Sequence, residues 1–365
     1  MRYLDLRAEG FRNLADCRLE FHPEVNWITG ANGQGKTNLL EALLYLVSGR
    51  SHRLARDEDL VGFDRDHFFL EGSLADEGGG ALRFRAACER GGRRRMHLDG
   101  EEVARLADLV GLTGTVVFGP DDVGLVTREP ERRRRFLDYT LSKTDPGYLR
   151  DLMAYRRILR QRNALLQARG GGPHLEIWTA RLVEHGARLV LARRRNLRLL
   201  GEEAARFYRA MGGDGEDLAL SYRSPVEGED EGAAAASLGA RLESLAASES
   251  LKKRTLAGPH RDDMVIDIGG RNGRKFASQG QKRSAAVALK LAQAEFLARV
   301  RRDRPIVILD DVFSELDEPR RERLCRLVGR QYQTFLATPQ PEDLNRELFG
   351  DLRRFRVAEG RIQPE

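Results

Sequence analysis

The sequence predicts an α/β protein in which mixed sheets and helices form one lobe and a mostly helical lobe is inserted into it. Three observations lead to this prediction. Residues 1–30 alternate polar and apolar side chains, as half-buried strands do. From residue 131 onward, apolar side chains recur every three or four positions, which is typical of amphipathic helices. A sequence pattern typical of strands returns near residue 263, so the helical segment is inserted within the part of the chain that forms sheets.

The first part of the chain is predicted to be β-structure around one helix. A Gly-rich turn at residues 30–35 leads into a segment that is apolar at helical spacing and ends at Gly49. Asp99-Gly100 is a residue pair typical of a tight hairpin turn. The segments that predict strands between residues 66 and 118 are HFFLEGSL, ALRFRAACER, RRRMHLDGEEV and GTVVFGP.

The inserted lobe is predicted to contain three long helices, beginning near residues 131, 148 and 175. Asp145-Pro146-Gly147 and the Gly-rich run at residues 170–173 separate them, since both break helices. The segment SPVEGEDEGAAAA is predicted to be a surface loop, and QTFLATPQ is predicted to contain the last core strand. The predicted boundaries are 1–128 and 252–365 for the first lobe and 129–251 for the insert.

Composition excludes several classes of protein. The sequence contains no run of 18 apolar residues, so no membrane span is expected. The N-terminal residues lack the pattern of a signal peptide. We therefore expect a cytoplasmic protein. Its cysteines, Cys17, Cys88 and Cys325, stand far apart and outside any metal-ligand spacing, which favours reduced structural thiols.

Positive charge is concentrated in one internal segment. Residues 131–210 hold 19 Arg and Lys against 8 Asp and Glu, whereas residues 211–250 hold 9 acids and 2 bases. A concentrated basic surface is expected for a polyanion partner such as DNA. Solvated helix faces are also basic at times, so this alternative stays open. The residues predicted to contact DNA are Arg132, Arg133, Arg134, Arg135, Arg193, Arg194 and Arg195.

A phosphate-binding loop is predicted at GANGQGKT. The segment fits G-x-x-x-x-G-K-[ST], with a predicted strand before it and a helix after it. In such loops backbone N–H groups surround a phosphate, the lysine reaches the β/γ oxygens, and the Thr hydroxyl binds Mg²⁺. The residues predicted to bind nucleotide here are Gly30, Ala31, Asn32, Gly33, Gln34, Gly35, Lys36, Thr37 and Asn38.

The acidic end of a buried strand supplies the partner that such a loop requires. IVILDD gives four apolar residues followed by Asp310 and Asp311. Asp310 is predicted to hold the Mg²⁺ together with Thr37. Asp311 is placed to take a proton from the attacking water. The cofactors expected from this pair of motifs are ATP and Mg²⁺.

A second polar turn, ASQGQKR, opens a long Ala- and Leu-rich helix. One interpretation is an ordinary helix cap by Ser278. The other is an anion site built from bare N–H groups at a positive helix end. The turn resembles the signature of ABC-type ATPases, in which Ser and Gly donate to ATP held by a partner subunit. Ser278 and Gly280 are therefore predicted to bind nucleotide, and Gln281 joins Lys36 and Asp311 as a predicted catalytic residue.

Seven motifs in order give a more specific resemblance. Together they resemble the RecF family of DNA-repair proteins, and they cover nearly the whole chain. They are FRNL, GANGQGKTNLLEAL, SHR, RRRFLD, AGPHRDD, SQGQKR and LDDVFSELD, the last including a D-loop-like SELD.

The resemblance implies an SMC-like, ABC-type P-loop ATPase head with an added helical arm. It also implies ATP-dependent homodimerisation, ATP-dependent DNA binding and slow ATP hydrolysis. The implied role is loading of recombinase at single-strand gaps, with RecR and RecO as partners. The chain carries Asp311 where ABC transporters carry Glu, and it lacks their switch histidine, with Thr338 in the vicinity of that position.

Weaker candidates keep two interpretations each. Arg12 and Asn13 either reach the nucleotide, by analogy with SMC heads, or form a surface turn. His260 and Arg261 either contact DNA or nucleotide or fix a turn. His52 and Arg53 follow the P-loop helix and are equally well explained as a solvated pair.

Two rival functions are less well supported. An ABC transporter subunit would usually carry the strand-end Glu and the switch histidine. An SMC tether would need a long coiled coil, and the longest helical stretch here, about 36 residues, spans only ~54 Å.

Overall fold

The computed structural model describes residues 1–53, 55–76, 78–168, 173–212, 215–329, 331–339, 349 and 351–365. The predicted break at residues 170–172 lies outside these residues. The chain forms two compact units. The first comprises Met1–Asp122, Ala210–Gly212 and Gln293–Glu365, and the second comprises Val123–Arg209 and Gly213–Ala292. Within the described residues no helix is both long enough and apolar enough to cross a membrane.

The strands, in chain order, are β1 (Arg2–Tyr3), β2 (Asp5–Glu9), β3 (Cys17–Glu20), β4 (Val25–Thr29), β5 (His67–Ala75), β6 (Ala81–Glu89), β7 (Arg95–Leu98), β8 (Glu101–Glu102), β9 (Thr115–Phe118), β10 (Leu218–Arg223), β11 (Asp263–Ile268), β12 (Arg271–Asn272), β13 (Ile306–Asp310), β14 (Thr334–Thr338), β15 (Leu352–Ala358) and β16 (Arg361–Pro364). The helices are α1 (Lys36–Ser48), α2 (Gly124–Thr127), α3 (Pro130–Ser142), α4 (Pro146–Gln167), α5 (Pro173–Ala210), α6 (Glu231–Ser244), α7 (Ala246–Lys252), α8 (Gly273–Phe276), α9 (Gln279–Arg301) and α10 (Glu318–Val328).

Two sheets build the first unit. Among the described residues, one sheet has the order β3-β2-β5-β6-β7-β8, with β1 on β5, and every pair in it is antiparallel. The other has the order β16-β15-β4-β14-β13-β9 and is parallel except for the β15–β16 hairpin. Helix α1 contacts β5 and β6 of the first sheet and β13 and β14 of the second. Because it is covered on both sides, every residue from Leu39 to Val47 is buried, including Glu41.

The second unit combines the long helices with a small antiparallel sheet, β10-β11-β12. Strand β11 pairs with β10 and α3 packs on β11, so this strand lies among the arm helices. The predicted insert ended at residue 251, whereas the second unit continues to Ala292. It therefore contains the SQGQKR turn. The first half of α9 belongs to the second unit, and its remaining residues belong to the first.

Several predicted elements need correction. SPVEGEDEGAAAA is a loop only in its first part, because Asp230 caps α6 by accepting a hydrogen bond from the Ala233 N–H. The strand in QTFLATPQ, β14, is not the last core strand. Strand β15 follows it and pairs in parallel with β4. Strand β10 and helices α6 and α7 were not predicted. The hairpin turn at Asp99-Gly100 is confirmed, with positive φ at both residues.

Candidate nucleotide-binding site

The P-loop follows a fully buried strand. All residues of β4 are buried between β14 and β15, and the chain leaves the sheet at Thr29. The turn then needs positive φ at Gly30, Gly33 and Gly35, with values of 150°, 82° and 119°. A Cβ on Gly30 would lie 2.2 Å from the backbone oxygen of Val357, so only glycine fits there. Among the described residues, no atom lies within 4 Å of a Cβ built on Gly33, so in this part of the structure the loop has room for a ligand.

Helix α1 begins without a side-chain cap. Its N-cap residue is Gly35, which has no side chain that could cap the helix. The first turn of this fully described helix carries no acidic residue. The Lys36 ammonium is buried and donates to the carbonyl oxygens of Gly30 and Ala31. An uncapped positive helix end beside a lysine is a donor set that suits a phosphate chain. The residues present therefore fit the triphosphate of ATP.

Thr37 and Asp310 meet at the carboxyl end of the parallel sheet. The Thr37 hydroxyl donates to Asp310 Oδ1 at 2.9 Å. Burial raises the pKa of the Asp310 carboxyl, and the neighbouring Asp311 charge raises it further. Among the described residues, no group of three or more His, Cys, Asp or Glu side chains is arranged to hold a metal ion. Thr37 and Asp310 offer oxygen ligands, which suit Mg²⁺, an ion that usually takes one or two protein ligands and completes its shell with phosphates and water.

Asp311 follows directly and turns the chain out of the sheet. Its φ is 51°, a left-handed conformation that Asp tolerates better than most residues, and its N–H donates to Ala337 O at 3.3 Å. A 3₁₀ turn over Val312–Glu315 follows. Asp310 and Asp311 are thus consecutive residues at the carboxyl end of β13. The P-loop follows the carboxyl end of β4 in the same sheet. This placement is compatible with the predicted roles in metal binding and proton abstraction.

The FRNL and SHR motifs meet around one buried carboxylate of α1. Glu41 is fully buried and accepts two hydrogen bonds from the Arg12 guanidinium, at 2.9 and 3.1 Å. Arg53 lies 3.8 Å from the same carboxylate and donates to Asn38 Oδ1 at 3.1 Å. Asn38 in turn donates to Asn13 Oδ1 at 2.7 Å. These contacts hold Arg12 and Arg53 beside the first turns of α1, and whether Arg12 or Asn38 touches nucleotide stays a prediction.

The C-terminal hairpin clamps the P-loop, a feature that the sequence did not reveal. Gln34 Oε1 accepts from the Glu359 N–H at 2.6 Å, and the Gln34 carbonyl accepts from the Gly360 N–H at 2.9 Å. A Cβ on Gly360 would lie 1.9 Å from Asn13 O, so the turn between β15 and β16 is seated tightly. The side chain of Gln34 therefore supports the loop.

The signature-like turn, in the second unit, caps its own helix. The Ser278 hydroxyl accepts from the Gln281 N–H at 3.2 Å, and Gln281 Oε1 accepts from the Ser278 N–H at 2.6 Å. This reciprocal pair is a capping box. Gln281 Nε2 also donates to Glu216. Ser278 is nonetheless exposed and Gly280 is half-exposed. A hydroxyl that accepts one hydrogen bond keeps its own proton for a further acceptor.

Comparison with known proteins assigns the family. A family model described as the RecF/RecN/SMC N terminal domain matches residues 4–347. The DNA replication and repair protein RecF of Symbiobacterium thermophilum is 40% identical over 98% of this chain and 96% of its own length. The corresponding protein of Geobacter sulfurreducens is 37% identical over 98% of each chain. The chain belongs to the RecF family.

Solved structures agree with this assignment and confirm the predicted fold class. The structure of the recombination mediator protein RecF-ATP in the RecFOR pathway has a TM-score of 0.90 and 32% identity, covering all of this chain and 97% of that one. An SMC head bound to the C-terminal winged-helix domain of ScpA has a TM-score of 0.60 at 14% identity, which shows likeness of fold alone. The chain thus has the RecF and SMC type of α/β ATPase head.

Two of the seven arginines predicted to contact DNA, Arg133 of the RRRFLD motif and Arg193, are buried, which corrects the prediction for these two. Arg133 is 5% exposed and binds Asp263 through two hydrogen bonds of 2.8 and 3.0 Å. Arg193 is 2% exposed and donates to Asp138, Tyr148, Tyr222 and the Pro259 carbonyl. Neither guanidinium is accessible to a DNA phosphate.

The other arginines of the two runs differ in their exposure. Arg134 is half-buried and donates to Asp262 O at 2.9 Å, and Arg194 holds the carbonyls of Val226 and Gly228. Arg132 is half-buried. Arg135 and Arg195 are exposed, and Arg135 pairs with Glu131. Among the seven predicted contacts, these two are the exposed side chains.

Two further residues discussed above, His260 of the AGPHRDD motif and Thr338, are held by contacts inside the protein. His260 lies 2.6 Å from the Tyr155 hydroxyl, and burial lowers its pKa to about 4, so it is neutral at physiological pH. It fixes a turn, as one of its two interpretations predicted. Thr338 is fully buried, and its hydroxyl accepts from the Trp27 indole N–H at 2.9 Å. Thr338 therefore supports β4 and β14 in this structure.

Proposed function

We propose that the protein is an ATP-gated DNA-binding recombination mediator of the RecF type. ATP binding closes two copies of the chain on DNA, and slow hydrolysis of ATP releases them. The observation that carries this proposal is the P-loop of the first unit, where an uncapped helix, Lys36, Thr37 and Asp310 provide one complete face for magnesium ATP. Family membership and the ATP-containing RecF relative support the same ligand.

The second face of the ATP site comes from another copy of the chain. Ser278 is exposed and already serves its own helix as an acceptor, so its hydroxyl proton is free to be donated to a γ-phosphate oxygen. The N–H groups around Gly280 add donors at a positive helix end. Two such faces related by a two-fold axis give a symmetric dimer with two shared sites. The homodimer is therefore stable only with ATP bound.

Hydrolysis depends on Asp311 as the proton acceptor for water. Thr37 and Asp310 would hold Mg²⁺, and the ion would supply positive charge to neutralise the phosphates. Gln281 is held by Ser278 and Glu216, and it contributes by keeping the signature turn in shape for the γ-phosphate. The Asp side chain is one methylene shorter than the Glu of ABC transporters. Its shorter reach accounts for slow turnover.

The substrate DNA is gapped DNA or a single-strand/double-strand junction, at which the protein assists recombinase loading in repair and replication restart. RecR is the expected partner, with RecO as a second, and the protein works in the cytoplasm on the nucleoid. Support comes from relatives that are described as DNA replication and repair proteins and as a recombination mediator in the RecFOR pathway.

A mixing experiment tests the shared ATP site. Lys36→Ala removes the P-loop function of one copy, and Ser278→Ala removes the donor that the other copy contributes. Neither variant alone is expected to form dimers with magnesium ATP in sedimentation velocity. Their mixture is expected to form heterodimers, because the P-loop of the Ser278→Ala chain and the Ser278 of the Lys36→Ala chain make one intact site.

The controls separate capping from ATP contact. Loss of the cap costs about 1 kcal/mol, so thermal unfolding of Ser278→Ala must be measured alongside. Ser278→Asp keeps a good cap but sets a negative charge against the phosphate, so it should unfold like the wild type and still fail to dimerise. Normal dimers of Ser278→Ala, or a mixture without heterodimers, would show that the site is not shared in this way.

A further inference from the structure

Helix α4 exposes a continuous basic face that none of the family motifs includes. Its exposed positions recur at helical spacing from residue 150 to residue 167. The helix contains five arginines and one acid, Asp151. Four of the five arginines lie on the exposed face. The chief residues of this face, called the α4 face below, are Arg150, Met153, Arg156, Arg157, Arg160 and Gln161.

The opposite side of α4 is anchored, which fixes the orientation of the exposed arginines. Tyr148, Leu152, Tyr155 and Ile158 are buried in the second unit. The fifth arginine, Arg162, is buried too, and it donates to Glu249 at 2.6 Å and to Thr255 at 2.8 Å. A helix held by these contacts cannot rotate to hide its charged side.

Three of the four cations of the α4 face, Arg150, Arg157 and Arg160, lack the acidic neighbours that three exposed arginines of α5 have. On α5, Arg198 pairs with Glu202 and Arg206 with Glu203, and Arg209 pairs with Asp217. On α4, the single acid, Asp151, is engaged by His185 and Arg188 of α5. Within the described residues, Arg150, Arg157 and Arg160 make no ion pair, whereas Arg156 is bound to Asp138 at 2.9 Å.

We propose that the α4 face binds the phosphate backbone of duplex DNA. This proposal rests on the proposed function and names the surface by which the protein holds DNA. Arg150 and Arg160 are ten residues apart, about 15 Å along the helix axis at 1.5 Å per residue. That span matches about four base pairs at ~3.4 Å each, so the free guanidinium groups can each meet a different phosphate. Such contacts are independent of base sequence.

An acidic protein partner fits this surface less well. Stable protein interfaces have an apolar or aromatic centre that is depleted of charged residues other than arginine. On the α4 face, Met153 is the one large apolar side chain with substantial exposure, at 52%, and it is surrounded by arginines. Guanidinium groups match phosphate geometry with paired N–H donors. The density of uncompensated charge therefore favours DNA.

The test neutralises the three free cations together. In the variant Arg150→Gln, Arg157→Gln, Arg160→Gln, glutamine keeps the helix propensity while removing three charges. The matched control is Arg198→Gln, Arg206→Gln, Arg209→Gln, which removes the same charge from exposed arginines of α5 that have acidic partners. Binding of a fluorescent duplex is measured by anisotropy, with magnesium ATP, over a series of salt concentrations.

The expected result is a change in the salt dependence as well as in affinity. Each lost phosphate contact lowers the slope of log K against log salt by about 0.9, so the α4 variant should lose about 2 to 3 slope units and bind at least ~10-fold more weakly. The α5 control should change the slope by less than ~1 unit. ATP binding and ATP-dependent dimerisation should be unchanged in both variants.

Other outcomes overturn the proposal in distinguishable ways. Wild-type slope and affinity in the α4 variant would reject the α4 face as a DNA site, leaving an acidic protein as its ligand and the ATP-gated DNA function intact. Failure of the wild-type protein to bind DNA with ATP would reject both proposals. A lysine version of the triple variant should keep the wild-type slope, because the number of charges is unchanged. A slope as low as that of the glutamine variant would contradict phosphate contact.

Discussion

The two helices that begin at the predicted nucleotide-binding turns start in opposite ways. Helix α1 follows Gly35 and has no side-chain cap and no acid in its first turn. Helix α9 starts with a reciprocal capping box between Ser278 and Gln281. Both are Gly-containing turns at the start of a long helix, yet only the second satisfies its own N–H groups with side chains.

This difference indicates what each turn needs from a ligand. The uncapped start of α1 leaves N–H donors that a phosphate chain satisfies, so ATP binding completes that half of the site. The capped start of α9 is complete without a ligand. It therefore holds its shape in a single copy of the chain and offers one additional donor, the Ser278 hydroxyl. In the proposed function, the P-loop at the start of α1 binds ATP in one chain. The Ser278 turn at the start of α9 in the other chain then binds the γ-phosphate of that ATP.

Lys36→Ala should have the largest effect, because it removes the central cation of the α1 half. We expect loss of ATP binding, and with it loss of dimerisation and of ATP-dependent DNA binding. Titration with a fluorescent ATP analogue in the presence of Mg²⁺ measures this directly. The carbonyl oxygens of Gly30 and Ala31 lose their donor, so thermal unfolding is measured in parallel to exclude misfolding. Equal loss of ATP binding in Ser278→Ala would abolish the distinction between the two halves.

Asp311→Asn should separate ATP binding from hydrolysis. Loss of a general base typically slows a reaction by about 10²- to 10⁴-fold, so phosphate release should fall by that factor while the ATP-bound dimer accumulates. Asn tolerates the left-handed conformation at this position, with φ of 51°, and so preserves the backbone. Phosphate release and sedimentation give the two readouts. Faster hydrolysis in this variant would contradict the role of Asp311 as the base.

The sequence predicted the strand, turn and helix around the P-loop well because their determinants are consecutive. The strand, the glycines with positive φ, Lys36 and Thr37 all lie within residues 25–37, and IVILDD carries both acids of the strand end. The clamp by Glu359 and Gly360 was missed because its partners are about 325 residues away from Gln34 in the chain. Strand β15 was missed for a similar reason. It is rich in arginine, and its pairing with β4 is what makes it a core strand.

The arginine runs show where local patterns mislead. Arg133 and Arg193 are hidden by Asp263 and Asp138, which lie 130 and 55 residues away in the chain. The amino-acid sequence of neither arginine run distinguishes Arg133 or Arg193 from the exposed arginines beside it. The α4 face could have been found, since Tyr148, Leu152, Tyr155 and Ile158 mark the buried side and leave Arg157 and Arg160 on the other. Identifying the helical face that lacks acidic residues is therefore more informative than locating a run of consecutive like charges.

Mild acid should weaken the unit that carries the signature turn, through His260. Burial lowers the pKa of His260 to about 4, from an ordinary value of 6.5. Between these values the unfolded chain takes up a proton that the folded unit excludes. The contribution to stability is therefore complete above pH 6.5 and is lost as the pH falls toward 4, by on the order of 3 kcal/mol. Asp310 acts oppositely in the other unit, because its raised pKa makes protonation favour the folded state.

A readout for each unit is needed because the two effects have opposite signs. Hydrogen exchange followed by mass spectrometry reports α4 and α1 peptides separately, at pH 7 and pH 4.5 after correction for intrinsic rates. The α4 peptides should lose protection on acidification, and His260→Gln should remove most of that loss, since glutamine keeps a hydrogen-bonding side chain without a charge to take up. The same loss of α4 protection in His260→Gln would assign the acid sensitivity to other groups and remove His260 as its cause.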